Sequence, residues 1–258
     1  MTKSNLTLYR PLLLVIVLLA FSGNALSQIT VANPFRTDSL LAVGGSAIIT
    51  GGDFAGLEAD ASPFGALPTE LSGITITIDQ HPAGIWIVFA TTVCFTVPAD
   101  LTVTARASWR ILTLTTPTTE WRTLVRVAVA APGLACSEPG RPAGMYRVGA
   151  ELPRPLSAGV PITTAGTLLI LVGSGVRAER QPMRLRSLPF EGFEPDCYVW
   201  IGDRRLPAQS WDWGYPGMDQ VFCFLPPDLL AGEHDVRVEA RRVLSDSGLR
   251  LVFFHFQK

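Results

Sequence analysis

Charge is scarce in this chain: only 17 % of its 258 residues are charged, and the formal net charge is −1. No run of Lys and Arg is dense enough to make the basic field that phosphate backbones or anionic lipids require, so no nucleic-acid partner is expected. The short signatures of a catalytic or metal centre are missing too. His81, His234 and His255 lie far apart, and none has a second ligand at metal spacing. There is no Cys-x-x-Cys, no Asp-x-Asp-x-Asp-Gly calcium loop and no Gly-x-Ser-x-Gly nucleophile elbow. Gly173-Ser174-Gly175 ends a strand-like run without the helix an elbow needs. No metal and no cofactor is therefore expected, and no residue is put forward as catalytic.

Sustained helical periodicity is absent as well. What replaces it is alternation of period two: Ile74-Thr75-Ile76-Thr77-Ile78, the segment 124–129, and valine alternating with charge in 235–239. The chain's 23 Gly and 20 Pro punctuate these runs at short intervals, which breaks helices and suits β-sandwiches. Hairpins are expected between 109–115 and 121–130, with Trp109 and Trp121 as a cross-strand pair, and between 236–243 and 249–256. Hydrophobic residues make up 48 % of the chain, enough for two cores, and the predicted class is all-β.

One template is written twice. Gly45-Ser46-Ala47-Ile48-Ile49-Thr50-Gly51-Gly52 answers to Gly166-Thr167-Leu168-Leu169-Ile170-Leu171-Val172-Gly173. The run 74–78 answers to Cys197-Tyr198-Val199-Trp200-Ile201, and Pro98-Ala99-Asp100-Leu101 to Pro226-Pro227-Asp228-Leu229. A period of more than a hundred residues, about the size of a domain, means two similar modules in tandem. Pro/Gly density between them reads as an extended linker with a short strand near Met145. The expected division is 1–27, 28–135, a linker 136–160, and 161–258.

Residues 1–27 match a secretory signal: Lys3 and Arg10, an apolar stretch 11–21, then small residues at Ala25 and Ser27. That stretch is shorter than the roughly 20 residues of a spanning helix, so the mature chain is expected to be exported, extracellular or periplasmic, with no transmembrane span. Export makes Cys94, Cys136, Cys197 and Cys223 candidates for disulfides. Alternation puts Cys197 and Cys223 on core faces, which favours a bridge between them, whereas Cys94 falls opposite Val93, Phe95 and Val97 on the more open face. Pairing of Cys94 with Cys136 and two separate thiols stay equally open.

Taken together, these residues resemble the immunoglobulin-like modules of the plexin and transcription-factor type, in the tandem form found at the C-termini of exported proteins from soil bacteria. The resemblance runs through Val31-Ala32-Asn33, Val43-Gly44-Gly45-Ser46, Leu67-Pro68-Thr69-Glu70-Leu71-Ser72-Gly73 and Ala131-Pro132-Gly133-Leu134. In the second module it rests on Val172-Gly173-Ser174-Gly175-Val176 and Tyr215-Pro216-Gly217-Met218-Asp219-Gln220-Val221. The first module departs at Thr91-Thr92-Val93, where the family usually shows a Gln. The resemblance implies an exported scaffold of two immunoglobulin-like sandwiches, with no known catalytic residues and no defined ligand. It also implies turn capping for Asp219 and Asp228.

The surface feature that stands out is Trp211-Asp212-Trp213-Gly214-Tyr215-Pro216. Trp211, Trp213 and Tyr215 in a Gly/Pro loop can make a flat platform for sugar rings or for a surface protein, with Arg204 and Arg205 nearby. Tyr198 and Trp200 add rings on the non-core face of a neighbouring strand. The alternative is that the rings fold back and seal the sandwich edge. The expected role is thus a non-enzymatic binding or structural module. Two other classes stand beside it: a carbohydrate-active hydrolase using Asp203, Asp212, Asp219 or Asp228, and an architectural spacer.

Overall fold

The computed structural model describes residues 29–61, 66–104, 106–164, 166–177, 195–212, 214, 217–246 and 248–255. The signal-like segment 1–27 lies outside them, as do Trp213 and Tyr215. Among the described residues no helix is long and apolar enough to cross a membrane.

The first module comprises β1 (Thr30–Ala32), β2 (Leu41–Ala42), β3 (Ser46–Thr50), β4 (Ala59–Asp60), β5 (Glu70–Leu71), β6 (Ile74–Ile78), β7 (His81–Pro82), β8 (Gly84–Phe89), β9 (Thr92–Thr96), β10 (Ser108–Thr115) and β11 (Glu120–Ala128). They form two facing sheets, β1-β3-β9-β8-β4 and β2-β11-β10-β6-β5. The alternation of β6 puts Ile74, Ile76 and Ile78 inside and Thr75 and Thr77 outside. Leu112, Leu114, Val125 and Val127 from the β10–β11 hairpin meet Ala47, Ile49, Val93 and Phe95 from the other sheet in one core. β2 runs parallel to β11, so the chain changes sheets between β1 and β2.

The second module holds β12 (Gly133–Leu134), β13 (Cys136–Glu138), β14 (Arg141–Pro142), β15 (Gly144–Val148), β16 (Arg154–Pro155), β17 (Val160–Ile162), β18 (Thr167–Ser174), β19 (Cys197–Ile201), β20 (Arg204–Asp212), β21 (Met218–Leu225), β22 (Gly232–Ala240), β23 (Val243–Leu244) and β24 (Arg250–His255). Its order is β15-β18-β21-β20 continuing into β19-β22-β24-β17. The first module repeats that order as β1-β3-β9-β8 against β6-β10-β11-β2. The repeated motifs therefore fall at matching places: β3 with β18, β6 with β19, and the two Pro-x-Asp-Leu turns just after β9 and β21. Four strands facing three with this connectivity is the immunoglobulin-like arrangement. Both modules are immunoglobulin-like β-sandwiches. In the second, pairing of β20 with β19 merges the two sheets into one that folds over its own core.

The stretch 136–160 is not an extended linker. β15 pairs with β18 over five residues, and Tyr146 and Leu156 are buried in the second core. Pro and Gly there shape turns and edges, while Tyr146, Leu156 and Val160 supply apolar surface worth burying. The C-terminal run 251–255 is the last strand, flanked by β22 on one side and β17 on the other, so it is no open edge.

The modules share a buried joint. Leu40, Ala42, Ala128 and Ala131 cluster with Val243. Arg36, with a side chain only 6 % exposed, donates to the carbonyls of Pro132 and Leu244, both at 2.8 Å, and pairs with Asp38. The Ser46 amide donates to the Ser174 hydroxyl at 2.8 Å, and that hydroxyl donates to the Gly217 carbonyl at 2.7 Å. Gly217 sits at φ +70°, where a Cβ would lie 2.6 Å from the Ser46 nitrogen. Gly217→Ala is expected to cost about 2–4 kcal/mol, from the left-handed backbone and the clash together. Thermal unfolding checks this, with small-angle scattering to report any change in module placement; an unaltered melting curve would show that the joint yields freely.

The expected disulfide is not formed, and all four cysteines are free. Cys197 and Cys223 do face the core, but each pairs in register with Ala208, one from either side. Two strand spacings set their Cα atoms about 9–10 Å apart, beyond the roughly 7 Å a bridge spans. Cys94 is buried rather than open, because Ile48 and Ile87 flank it on the neighbouring strands. Cys136 is exposed. Trp109 and Trp121 are not a pair either. They fall on opposite faces of their hairpin, Trp109 across from Arg126 and Trp121 across from Leu114, with Trp121 edge-on to Phe54.

Candidate functional site

Of the predicted platform, Trp211 is described. It lies near the end of β20, half-buried, its ring 5.6 Å from that of Phe222 and its indole N–H donating to Gln209 at 3.4 Å. Asp212 and Asp219 form the last register pair of the β20–β21 hairpin, whose first strand ends at Asp212 and whose second begins at Met218. The loop begins in an Asx turn, the Gly214 amide donating to Asp212 at 2.9 Å. It ends at Gly217, against the Gly45–Ser46 turn of the first module. Gly217 thus stands at the joint between modules, a common setting for ligand sites.

Beneath it lies a buried ion pair that sequence reasoning missed. Arg177 holds Asp219 through its Nε and reaches Asp212 at 3.2 Å; the side chains of Arg177 and Asp219 are 8 % and 3 % exposed. The Asp219 carboxylate also accepts the Val176 amide at 2.8 Å. Burial pushes the Asp219 carboxyl above its ordinary value, while Arg177 and the Val176 and Arg177 amides pull the other way. Asp219 is therefore a strand residue in a charge network that also caps the bend after β18 through the Val176 and Arg177 amides. Its only hint in the sequence was its place within Tyr215-Pro216-Gly217-Met218-Asp219, because Arg177 is 42 residues away.

Arg204 and Arg205 are not near Trp211. They start β20, and six residue steps to Trp211 span about 20 Å. Arg204 pairs with Asp228 at 3.1 Å. Arg205 lies over the Tyr198 ring, 3.3 Å from its centroid, and grips both oxygens of Glu239 at 2.9 and 3.0 Å. Trp200 donates its indole N–H to the same carboxylate at 2.8 Å. Arg205, helped by Trp200, holds Glu239 below the usual carboxylate range. Tyr198 and Trp200 are thus tied into a lattice on the outer sheet face, half-buried, rather than swung toward the loop.

The carboxylates considered for hydrolysis do not make a facing pair across an open cleft. Asp212 and Asp219 share Arg177, while Asp228, at the other end of the sheet, is bound to Arg204. His81 pairs with Asp100 at 3.0 Å, and His234 contacts the Leu230 carbonyl at 3.0 Å. Among the described residues no group of His, Cys, Asp and Glu could hold a metal ion.

No family model matches the chain, and no curated protein matches it. Solved structures give distant likenesses. A tandem pair of titin immunoglobulin domains is 12 % identical over 85 % of this chain and 92 % of its own, with a TM-score of 0.24. Domains 5–6 of the S-layer protein SbsC are 11 % identical over 89 % and 98 %, with a TM-score of 0.24. A second titin pair is 9 % identical over 89 % and 99 %, with a TM-score of 0.23. The immunoglobulin-like fold is defined by the strand order of the two modules.

Proposed function

We propose that the chain is an exported, non-enzymatic binding protein whose second module holds a polysaccharide on the surface made by Trp211, Trp213 and Tyr215. The observation that carries this reading is Trp211, braced by Phe222 and Gln209 at the mouth of a hairpin loop anchored to the joint. A ring whose orientation is already set loses little freedom when a sugar stacks on it. The signal-like segment 1–27 supports export. Asp212 and Asp219, which alternation puts on the inward face opposite Trp211, are bound to one guanidinium, which supports binding over hydrolysis.

Affinity electrophoresis through gels containing neutral and acidic polysaccharides tests the reading. The mature protein should be retarded by at least one of them. Trp211→Ala with Trp213→Ala should weaken retardation at least about tenfold, in line with the loss of a central aromatic anchor, with an unchanged circular dichroism spectrum. Retardation that survives both substitutions would rule out this surface. Release of reducing ends, abolished by Asp212→Asn, would move the protein to the hydrolase class.

A further inference from the structure

The first module has an outer face that nothing above employs. On β10 and β11, Trp109, Ile111 and Leu124 are 64 %, 52 % and 61 % exposed. Their inward neighbours Leu112, Leu114, Val125 and Val127 fill the core, so alternation aims these three outward together. The register sets four rows: Trp109 beside Arg126, Ile111 beside Leu124, Thr113 beside Arg122, and Thr115 beside Glu120. Thr77 and Thr75 of β6 extend the last two. A contiguous apolar cluster on a flat sheet with a polar rim marks an interaction surface.

The charges on this face point to the partner. Arg126 lies 6.0 Å over the Trp109 ring and makes no ion pair among the described residues. Glu120 stands at the opposite end of the same strand, bonded at 2.8 Å to Arg122. An acidic partner would meet Glu120 and a basic one would meet Arg126, whose charge reaches only as far as Asp38 on its own protomer among the described carboxylates. A surface carrying opposite charges at opposite ends is complementary to itself when turned about a two-fold axis.

We propose that this face binds a second copy of the chain, sheet against sheet, about a two-fold axis lying across the strands between Arg122 and Leu124. β11 then crosses the same strand of the other copy in the opposite direction. Glu120 of each protomer comes opposite Arg126 of the other. Leu124 meets the aliphatic stem of Arg122, Ile111 meets the methyl of Thr113, and Trp109 covers Thr115. Aligned sheets pack in this way about 10 Å apart, crossing at about 30°. Strands of eight, nine and five residues offer a projected footprint of about 350 Å² per copy, small for a specific interface, so the dimer is a weak one.

Sedimentation velocity on the mature chain over a micromolar-to-millimolar series, at low salt, is the test. Monomer is expected at the dilute end and dimer at the concentrated end. L124E should abolish the dimer, and because Leu124 is exposed the melting temperature should hold. E120R or R126E alone should weaken association at least about tenfold by placing like charges face to face, whereas E120R with R126E should restore it. A chain that stays monomeric throughout the series would overturn the proposal, as would a dimer indifferent to L124E. Failure of the paired reversal to restore association would overturn the axis.

Discussion

Arg177→Met is expected to lower the stability of the folded chain by about 3–5 kcal/mol, the usual penalty for leaving one member of a buried ion pair alone. Asp219 would keep its bond from the Val176 amide but would sit nearly buried without a counter-charge, with Asp212 a cross-strand neighbour of like sign. Its carboxyl, already pushed up by burial, would rise further. The sign of the pH effect follows. A folded-state value above the unfolded one favours folding below about pH 4 and loses that benefit as pH rises through the folded value. The variant should therefore recover part of its deficit relative to the parent chain at mildly acidic pH. Urea unfolding of both proteins at neutral and mildly acidic pH measures this. A deficit below about 1 kcal/mol would mean that the network is better solvated than its burial indicates.

The second large effect is alkaline. Burial pushes the Cys223 thiol up to about 12. Cys197 is driven still higher, by burial first and by the Asp196 charge second. In the unfolded chain both thiols ionise near pH 8.5. Their contribution is therefore complete below about 8.5 and is lost as pH rises toward 12. At pH 10 the loss is about 2 kcal/mol for each, or about 4 kcal/mol for the pair. Denaturant unfolding at pH 7 and pH 10 should show it, and replacing both cysteines by Ala should flatten the difference. Bridged cysteines could not titrate, so equal stability at the two pH values would contradict the free thiols.

Much of the fold was legible in the chain. Isoleucine–threonine alternation announced β6, the β10–β11 hairpin lay where its turn residues put it, and the repeated motifs marked equivalent strands of the two modules. These are local signals: period-two burial and turn chemistry act over a few residues. The stretch 136–160 was misread because Pro and Gly report turns, not whether the intervening side chains find a core. Tyr146 and Leu156 found one. Of the site, aromatic and glycine content suggested a loop holding Trp211, but Trp211 belongs to β20 and pairs in register with Gln220. The anchoring of Gly217 at the joint was not foreseeable, since the joint depends on Ser46 meeting Ser174 across 128 residues.

By itself, then, the amino-acid sequence determined an all-β chain of two like modules, because alternation and punctuation are encoded residue by residue. Tertiary structure alone decided what depends on which strand lies beside which. It put β20 between Cys197 and Cys223 and separated their thiols. It turned Trp109 outward and Trp121 inward on one hairpin. It also carried Arg36 to the Leu244 carbonyl, 208 residues along the chain. Such pairings follow from strand order and module docking, and no window of neighbouring residues contains them.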